Sequence, residues 1–247
     1  MCVRPPPGLP ELVAIYEGRR QAAVHFRPTT WDGAIADPRL TARLHDDRYT
    51  SICSDSRSAH FDCRTVDRGG VRAACRDMDL GDQDSVLSTL MLVMAWGSGT
   101  SSRGPRNAAH ATRNRETAHS ILSQTARHLR ESSALDDLSI GQAHRLFVLP
   151  GIRQAYFTKW FSFAGHVPGR TWQPLILDSR VLTTLNQTLG VTTTEMARTR
   201  LRAKRYTAYV DCMHQWSDAL ACEGAAINSA RLEWILFDHN GRPLRPG

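Results

Sequence analysis

The sequence predicts a mainly α-helical protein, on three observations. From residue 84 onward, apolar residues recur at intervals of three and four, which is the spacing of one helix face. Small polar residues that cap helices precede these segments, and glycine or proline follows most of them. The chain has 247 residues, of which 41% are hydrophobic. That is enough to bury a core as one large domain or as two small lobes.

The first part of the chain does not show this pattern. Residues 1–12 form a proline-rich lead, and a short helical patch follows near residues 12–19. Residues 26–82 mix Pro, Asp, Arg and Gly with short apolar pieces, and the pattern does not separate strands from irregular helices. We therefore divide the chain into an N-terminal extension of unclear structure, residues 1–82, and a helical domain, residues 83–247.

The helical domain begins with a mostly buried helix at 85–96, which Asp84 precedes and Gly97 ends. A loop of small residues over 97–107 carries Arg103 and Arg106. Asp178 or Ser179 can begin a later helix. The further helices are predicted at about 108–131, 139–148, 153–164, 179–189, 195–220 and 229–237.

Composition excludes several classes of protein. No window approaches the roughly 18 consecutive apolar residues of a membrane span, and residues 1–12 lack the apolar core of a secretory signal. The six cysteines include no CxxC pair, which argues against a zinc ribbon or an iron–sulfur cluster. We expect reduced thiols in a cytoplasmic protein without a metal.

The chain is basic, with a net charge of +7 and a pI near 9.4. This charge suits a polyanionic partner such as nucleic acid, although a basic surface also promotes solubility. Of the 31 Lys and Arg residues only Lys159 and Lys204 are lysines, an imbalance that a high-GC coding bias largely explains. A lysine can lose its proton in apolar surroundings near neutral pH, whereas arginine cannot.

Lys159 stands on the aromatic helix predicted at 153–164. Tyr156, Lys159 and Phe163 share one face of this helix, and aromatic side chains occupy much of the remainder. A partly desolvated lysine would be a good nucleophile. The helix taken by itself favours the alternative, in which Lys159 extends from an ordinary core helix into water.

Asp178 follows the apolar run 174–177 at the start of a predicted helix. The helix dipole and the free backbone amides would keep its carboxylate ionised, and an anion there can stabilise a developing cation. The alternative is a simple N-cap. The segment between Lys159 and Asp178 holds a helix, a loop and a return segment, which could bring both side chains to one cleft.

The order LPG, lysine-bearing helix and LDSRV resembles the helix-hairpin-helix (HhH-GPD) base-excision DNA glycosylases. More narrowly, AWG (95–97), FTKWFSFAG (157–165), LILDSRV (175–181) and LEWILF (232–237) resemble bacterial proteins with an 8-oxoguanine DNA glycosylase (OGG) fold. The resemblance covers about residues 84–240. It implies a two-lobed helical glycosylase fold that uses no metal and no organic cofactor.

The resemblance also implies roles for individual residues. Lys159 would attack C1′ of the target nucleotide, expel the damaged base and form a Schiff base that permits strand cleavage. Asp178 would stabilise the developing positive charge and help to deprotonate the amine. The base would have to be flipped out of the duplex. The proposed DNA-binding residues are Gly151, Arg153, Arg103, Arg106 and Arg180, and the proposed base pocket consists of Trp160, Phe163 and Trp172.

Several of these residues have an ordinary structural alternative. Arg103 and Arg106 could belong to a solvated loop, and the aromatic residues could belong to the core. The basic segment 198–205 could lie against DNA or form a solvated helix face. His144, His166 and His214 fit no metal-ligand spacing.

The sequence departs from the family pattern at the hairpin. Arg153 stands where a second glycine is usual, and Lys159 follows Gly151 by eight residues. Either the hairpin is altered or the lysine lies about two turns further along its helix. The C-terminal iron–sulfur cysteines of some relatives are absent, and so is a recognisable N-terminal β domain.

These observations favour a monomeric, nucleoid-associated DNA glycosylase of the cytoplasm with AP-lyase activity. Its substrate would be an oxidised or otherwise modified base in duplex DNA, with 8-oxoguanine as the first candidate. One alternative is a non-catalytic DNA-binding protein on a glycosylase-like scaffold, and another is an unrelated helical protein. Repair and defence against foreign DNA are both open as biological roles.

Overall fold

The structure is a computed structural model that describes residues 4–53 and 62–244. In these residues it contains thirteen α-helices, two π-helical turns and three short β-strands. The predicted mainly α fold is confirmed. No helix of the described chain combines the length and the apolar character that crossing a membrane requires.

The chain forms two compact units, and each is assembled from separate segments of the sequence. Unit A consists of Met1–Arg20, Ser132–Arg145 and Val167–Gly247, and unit B consists of Gln21–Glu131 and Leu146–His166. The predicted boundary at residue 82 falls inside unit B, between its third and fourth helices, and it stays a prediction.

Unit B is built around one apolar helix, α5 (Gln83–Ser98). The Asp82 carboxylate accepts the Asp84 N–H at its start, and every residue from 86 to 96 is buried. The other helices of unit B are α2 (Pro28–Ile35), α3 (Pro38–His45), α4 (Arg68–Arg76), α6 (Arg103–Ala111), α7 (Arg115–Glu131) and α9 (Gln154–Ala164). A helix that is apolar on all sides must be surrounded, and all of these helices except α2 pack around α5.

A three-stranded antiparallel sheet completes unit B, in the order β1-β3-β2. The strands are β1 (Val24–Phe26), β2 (Ser51–Ile52) and β3 (Arg64–Val66). Thr65 of the central strand pairs with His25 on one side and with Ser51 on the other. This part of the chain is the one that sequence periodicity could not assign.

Unit A is organised around α12 (Arg202–Cys222). Its other elements are α1 (Leu9–Ile15), α8 (Gln142–Leu146, whose last residue belongs to unit B), α10 (Ser179–Thr183), α11 (Thr193–Ala197), α13 (Ser229–His239) and π-helical turns at Asp137–Gly141 and Thr184–Thr188. Helix α12 packs against α11 and α13. Asp178 is the N-cap of α10, and a capping box of Thr192 and Glu195 precedes and stabilises the start of α11.

The helix boundaries correct several predictions. The expected loop over 97–107 is wrong, because Arg103 and Arg106 lie on α6, whose Pro105 occupies the first turn, where no N–H partner is needed. The helix predicted at 108–131 is interrupted between α6 and α7. The helix predicted at 195–220 breaks after α11, because Arg198 adopts a left-handed conformation with φ of 51°.

Candidate active site

Helix α9 carries Lys159, and its extent confirms the helix predicted at 153–164. Gly165 follows its last residue. Arg130 of α7 donates from Nε to the Ala164 carbonyl at 2.7 Å and from Nη2 to the Cys75 carbonyl at 2.7 Å. Burial lowers the pKa of Arg130. A cation at the carboxyl end of α9 complements the helix dipole, so Arg130 fixes the helix within unit B.

Lys159 is buried, with 5% of its surface exposed. Its Nζ donates a hydrogen bond of 2.9 Å to the Ala155 carbonyl, one turn earlier on α9. The same nitrogen lies 5.8 Å from the centre of the Tyr156 ring, within the range of a cation–π contact. The amine is therefore held inside unit B and does not extend into water.

Gly97 of α5 makes room for the Lys159 side chain. A Cβ atom at Gly97 would lie 2.7 Å from Lys159 Cδ, 3.1 Å from its Cε and 3.4 Å from Cε1 of Tyr156. Carbon atoms do not approach this closely, so a side chain larger than hydrogen would displace the lysine. The glycine of the AWG element is thus a packing requirement of Lys159.

Trp96 of α5 and Arg68 of α4 pack around Phe163, one turn further along α9 than Lys159. The Trp96 ring meets the Phe163 ring edge-on, with their centres 4.9 Å apart. The Arg68 guanidinium carbon lies 5.5 Å from the centre of Trp96 and 5.8 Å from that of Phe163. Trp96 Nε1 has no hydrogen-bond partner in the described part of the chain. Sequence reasoning missed Arg68, because it lies in the stretch without periodicity.

Tyr156 shares the Lys159 face of α9, as the helical spacing predicts. Burial raises the pKa of its hydroxyl, while the charge of Arg103 and a hydrogen bond with the Ser98 side chain act in the opposite direction. Tyr156 thereby connects α9 with the end of α5 and with the exposed Arg103 of α6.

The predicted Pro-Gly turn is present immediately before α9. The Ile152 N–H donates to the Leu149 carbonyl at 3.2 Å, and Gly151 has a φ of 75°, as the third residue of a type II turn requires. A Cβ at Gly151 would lie 3.2 Å from the Asn107 carbonyl oxygen, so the turn packs closely on α6.

Three arginines are exposed around this turn and α6. Arg103 and Arg106 lie on α6, and Arg153 is the N-cap residue of α9. The side chain of Arg153 makes no capping hydrogen bond in the described structure. The Tyr156 N–H donates to the Arg153 carbonyl at 2.8 Å, so the first two backbone amides of α9 are the ones available to an external acceptor near these arginines.

Asp178 belongs to unit A, where it is the N-cap of α10 and 7% exposed. Its Oδ1 accepts the Arg180 N–H at 3.0 Å and the Val181 N–H at 3.2 Å. The carboxylate is thus oriented by two backbone donors, the arrangement that stabilises an anion at a helix start.

Side chains of α12 and α13 hold the apolar segment that leads to Asp178. The Tyr206 hydroxyl donates to the Leu175 carbonyl at 2.6 Å, and the Tyr209 hydroxyl donates to the Ile176 carbonyl at 2.8 Å. Glu233, in the LEWILF element, accepts the Ile176 N–H at 2.6 Å. These contacts give the two C-terminal helices a positioning role that the sequence did not reveal.

The remaining predicted residues lie in mixed surroundings. Trp160 is fully buried and Phe163 nearly so, both in unit B. In unit A, Trp172 is buried and donates its indole N–H to the Ser133 carbonyl at 2.9 Å. Arg180 is exposed, with its guanidinium 4.9 Å from the Phe237 ring centre. The burial of the three aromatic rings favours a core role for them, and their pocket role stays a prediction.

Two of the three histidines that fit no metal-ligand spacing, His144 and His214, are half-buried in unit A. Burial lowers the pKa of both His144 and His214, and the His214 ring forms hydrogen bonds with the Gln173 backbone at 3.0 Å. Within the described residues, metal-binding side chains come together in one place, at His25, Cys53 and Cys63 of unit B.

A family model described as "Putative 8-oxoguanine DNA glycosylase OGG-like protein" matches residues 17–237. The chain belongs to this family. The match begins well before residue 84, so the N-terminal half of unit B is part of the OGG-like protein and the resemblance seen over 84–240 was too short. No curated protein and no solved structure gives a significant match. Family membership supports a glycosylase-like role and an association with DNA.

Proposed function

We propose that this OGG-like protein is a DNA glycosylase with AP-lyase activity and that Lys159 is its nucleophile. The observation that supports the proposal most strongly is the burial of Lys159. Its amine lies on an aromatic helix, in a space that Gly97 leaves open, in a member of an OGG-like family. Apolar surroundings disfavour an ammonium ion and favour the neutral amine that attacks carbon.

The proposed reaction has two stages. In the first, Lys159 Nζ forms a bond to C1′ as the bond from C1′ to the base breaks, and a proton released from the Lys159 nitrogen passes to the departing base. Opening of the sugar ring then gives an imine between Nζ and C1′. In the second stage, loss of a proton from C2′ expels the 3′ phosphate and cleaves the strand. Water finally hydrolyses the imine and restores the amine.

Asp178 would assist the first stage electrostatically. Positive charge develops on the sugar as the base leaves, and an oriented carboxylate stabilises such a charge. The two backbone N–H donors at the start of α10 support this role, because they keep the carboxylate oriented before the reaction begins.

The DNA backbone would bind along α6 and the turn that precedes α9. Exposed Arg103, Arg106 and Arg153 supply positive charge there, and the first amides of α9 supply hydrogen-bond donors for a phosphate. We propose that Arg180 makes a further backbone contact. The target base would be flipped from duplex DNA before it is excised.

The proposed substrate is an oxidised or modified base, with 8-oxoguanine first among the candidates. The description of the matching family model, which names 8-oxoguanine, supports this choice. We propose that the protein acts as a monomer in the cytoplasm, close to the nucleoid, and that it needs no cofactor.

A single-turnover cleavage screen tests this function. The purified protein, in excess, is incubated with labelled duplexes that each carry one modified base, and products are resolved with and without alkaline treatment. A glycosylase with AP-lyase activity gives alkali-independent strand cleavage with at least one lesion. The absence of both base release and cleavage across a broad panel would argue against the proposal.

One contact favours a second candidate function, that of a non-catalytic DNA-binding protein. The Lys159 amine already donates to the Ala155 carbonyl, so it has a structural partner on its own helix. In that case salt-sensitive DNA binding would survive both Lys159→Gln and Asp178→Asn, and no lesion would give product.

A further inference from the structure

We propose that His25, Cys53 and Cys63 bind one Zn²⁺ ion on the sheet of unit B. The possible ligand atoms of these three residues all lie within 4.8 Å of one another. The site lies outside the glycosylase chemistry, and the proposal does not depend on that function.

The strand register brings the three residues to one face of the sheet. His25 pairs with Thr65, and Cys63 precedes Thr65 by two residues. Because side chains alternate along a strand, Cys63 and Thr65 point to the same side as His25. The pairing of Ser51 with Thr65 continues to Cys53, whose N–H donates to the Cys63 carbonyl at 2.9 Å. The two cysteines are therefore direct neighbours across β2 and β3.

The opposite face of the sheet is buried over β3 and Phe26, whereas Ile52 of β2 is 70% exposed on that face. Phe26, Arg64 and Val66 are buried there. On the ligand face His25 is exposed, Cys63 is partly exposed and Cys53 is 9% exposed. A metal ion can therefore reach the three donors without disturbing the core.

Two of the three distances match zinc geometry. Nδ1 of His25 lies 3.5 Å from the Cys53 sulfur and 3.6 Å from the Cys63 sulfur. Bonds of about 2.3 Å to sulfur and about 2.0 Å to nitrogen at a tetrahedral angle place these atoms about 3.6 Å apart. The two sulfurs lie 2.8 Å apart, whereas zinc would hold them at about 3.8 Å. Zinc binding would therefore move the two sulfurs about 1 Å further apart.

The chemistry of the donors selects zinc. Two thiolates and one imidazole are soft or borderline ligands, which Zn²⁺ prefers, whereas Mg²⁺ and Ca²⁺ prefer oxygen. Two thiolates also neutralise the charge of the ion. The three side chains leave one tetrahedral position for water or another donor.

The sheet itself gives the ion a role. Its strands contain three, two and three residues, so few backbone hydrogen bonds hold it together. An ion bound to His25 of β1, to Cys53 after β2 and to Cys63 before β3 would hold the three strands together. The expectation of no metal rested on cysteine spacing, but these donors lie 28 and 10 residues apart and only strand pairing brings them together.

The test begins with the wild-type full chain. Expressed in zinc-supplemented medium and purified with a reductant, it should carry about one zinc per chain by elemental analysis. After removal of zinc, titration with Co²⁺ should give the visible bands of tetrahedral cobalt and a near-ultraviolet thiolate charge-transfer band. Zinc far below one equivalent together with a cobalt spectrum lacking thiolate bands would overturn the proposal, without reliance on any variant.

Variants and thiol chemistry complete the test. His25→Ala, Cys53→Ser and Cys63→Ser should each lose most of the zinc, while Cys222→Ser, which changes an exposed cysteine of unit A, should retain it. Equal zinc content in all four would contradict the assignment. A Cys53–Cys63 disulfide that persists in the reduced, zinc-supplied protein, shown by intact mass and thiol counting, would also overturn it.

Discussion

Gly97 and Lys159 are in such close contact that one methyl group at Gly97 would collide with the lysine side chain. A Cβ atom at Gly97 would lie 2.7 Å from Lys159 Cδ. The two residues stand on different helices of unit B, α5 and α9, and their packing fixes the course of the amine. The proposed nucleophile is thus positioned by a residue that has no side chain of its own.

Substitution of Gly97 by alanine should impair the chemistry more than the fold. Alanine stabilises a helix interior relative to glycine by about 0.5–1 kcal/mol, which offsets part of the packing strain. The displaced amine should lower the single-turnover rate by about ten- to a hundredfold. The rate and the thermal unfolding midpoint are measured on the same preparation.

Gly33→Ala is the matched control for this change. Gly33 is also a helical glycine of unit B, on α2, and a Cβ there meets nothing within 4 Å. The Gly33→Ala variant should keep the single-turnover rate of the wild type. If Gly97→Ala retains the full rate, the proposed importance of the contact between Gly97 and Lys159 is wrong.

Asp178→Asn separates the charge of this residue from its capping role. Asparagine caps a helix about as well as aspartate, so the unfolding free energy should change little. Loss of the negative charge should lower the rate of base release by about a hundredfold or more. Asp178→Ala should in addition cost about 1 kcal/mol of stability, because the cap is lost.

Asp82→Asn is the control for the loss of an aspartate cap. Asp82 caps α5 in the same manner, by accepting the Asp84 N–H, and it is exposed. The rate of base release by the Asp82→Asn variant should equal that of the wild type. Equal rates for Asp178→Asn and Asp82→Asn would reduce Asp178 to an N-cap.

Arg103→Ala combined with Arg106→Ala should weaken DNA binding and its dependence on salt. Each arginine that contacts a phosphate releases counterions, so the slope of log affinity against log salt should fall by about one for each residue. Binding of an undamaged duplex is measured by fluorescence anisotropy at several salt concentrations.

The control removes two exposed arginines of the same unit that already pair with acids. Arg48 binds Asp46 and Arg76 binds Asp77, so the double alanine variant at 48 and 76 lowers the net charge equally. If both double variants show the same slope, binding follows net charge alone and α6 is not the DNA-binding surface.

Three histidines of unit A should make stability depend on pH, the half-buried His144 and His214 and the buried His239. Burial lowers the pKa of all three below the ordinary value of about 6.5, so the unfolded chain binds more protons than the folded chain in this range. The unfolding free energy should therefore fall as the pH drops through about 6.5, and this loss should level off below the lowered folded values.

Urea unfolding between pH about 7.5 and about 5.5 measures this effect. Near His214 the charges that oppose the lowering are Asp211 and Asp218, and Arg170 adds to it. His214→Gln should flatten the pH dependence, whereas His110→Gln, at an exposed position, should not. If the unfolding free energy depends on pH equally in both variants, the assignment of this effect to His214 is wrong.

Periodicity predicted the helices that have one clear apolar face, and it located α9 and its lysine within a residue or two. Periodicity did not predict the helix boundaries that depend on the backbone conformation of single residues. Arg198 ends α11 in a left-handed conformation that no composition signals, and α6 begins in a stretch rich in small residues that are typical of loops.

The site was predictable in part for the same reason. Lys159 and Asp178 each stand in a local pattern, an aromatic helix and a helix start. Contacts between segments that are far apart in the sequence leave no local sequence pattern. Gly97 under Lys159, Arg68 over Trp96, and the hold of Glu233 on Ile176 depend on tertiary packing. The pairing of Cys53 with Cys63 depends on a strand register that spans residues without periodicity.

Borohydride trapping tests most directly whether Lys159 forms an imine with DNA. The chain contains only one other lysine, Lys204, which is exposed on α12 of unit A. On a cleavable lesion duplex, wild type and Lys204→Gln should give a reduced covalent complex, Lys159→Gln should give none, and peptide mapping should place the adduct on Lys159. Full trapping of Lys159→Gln, or an adduct at Lys204 or the N-terminal amine, would contradict the proposed role of Lys159.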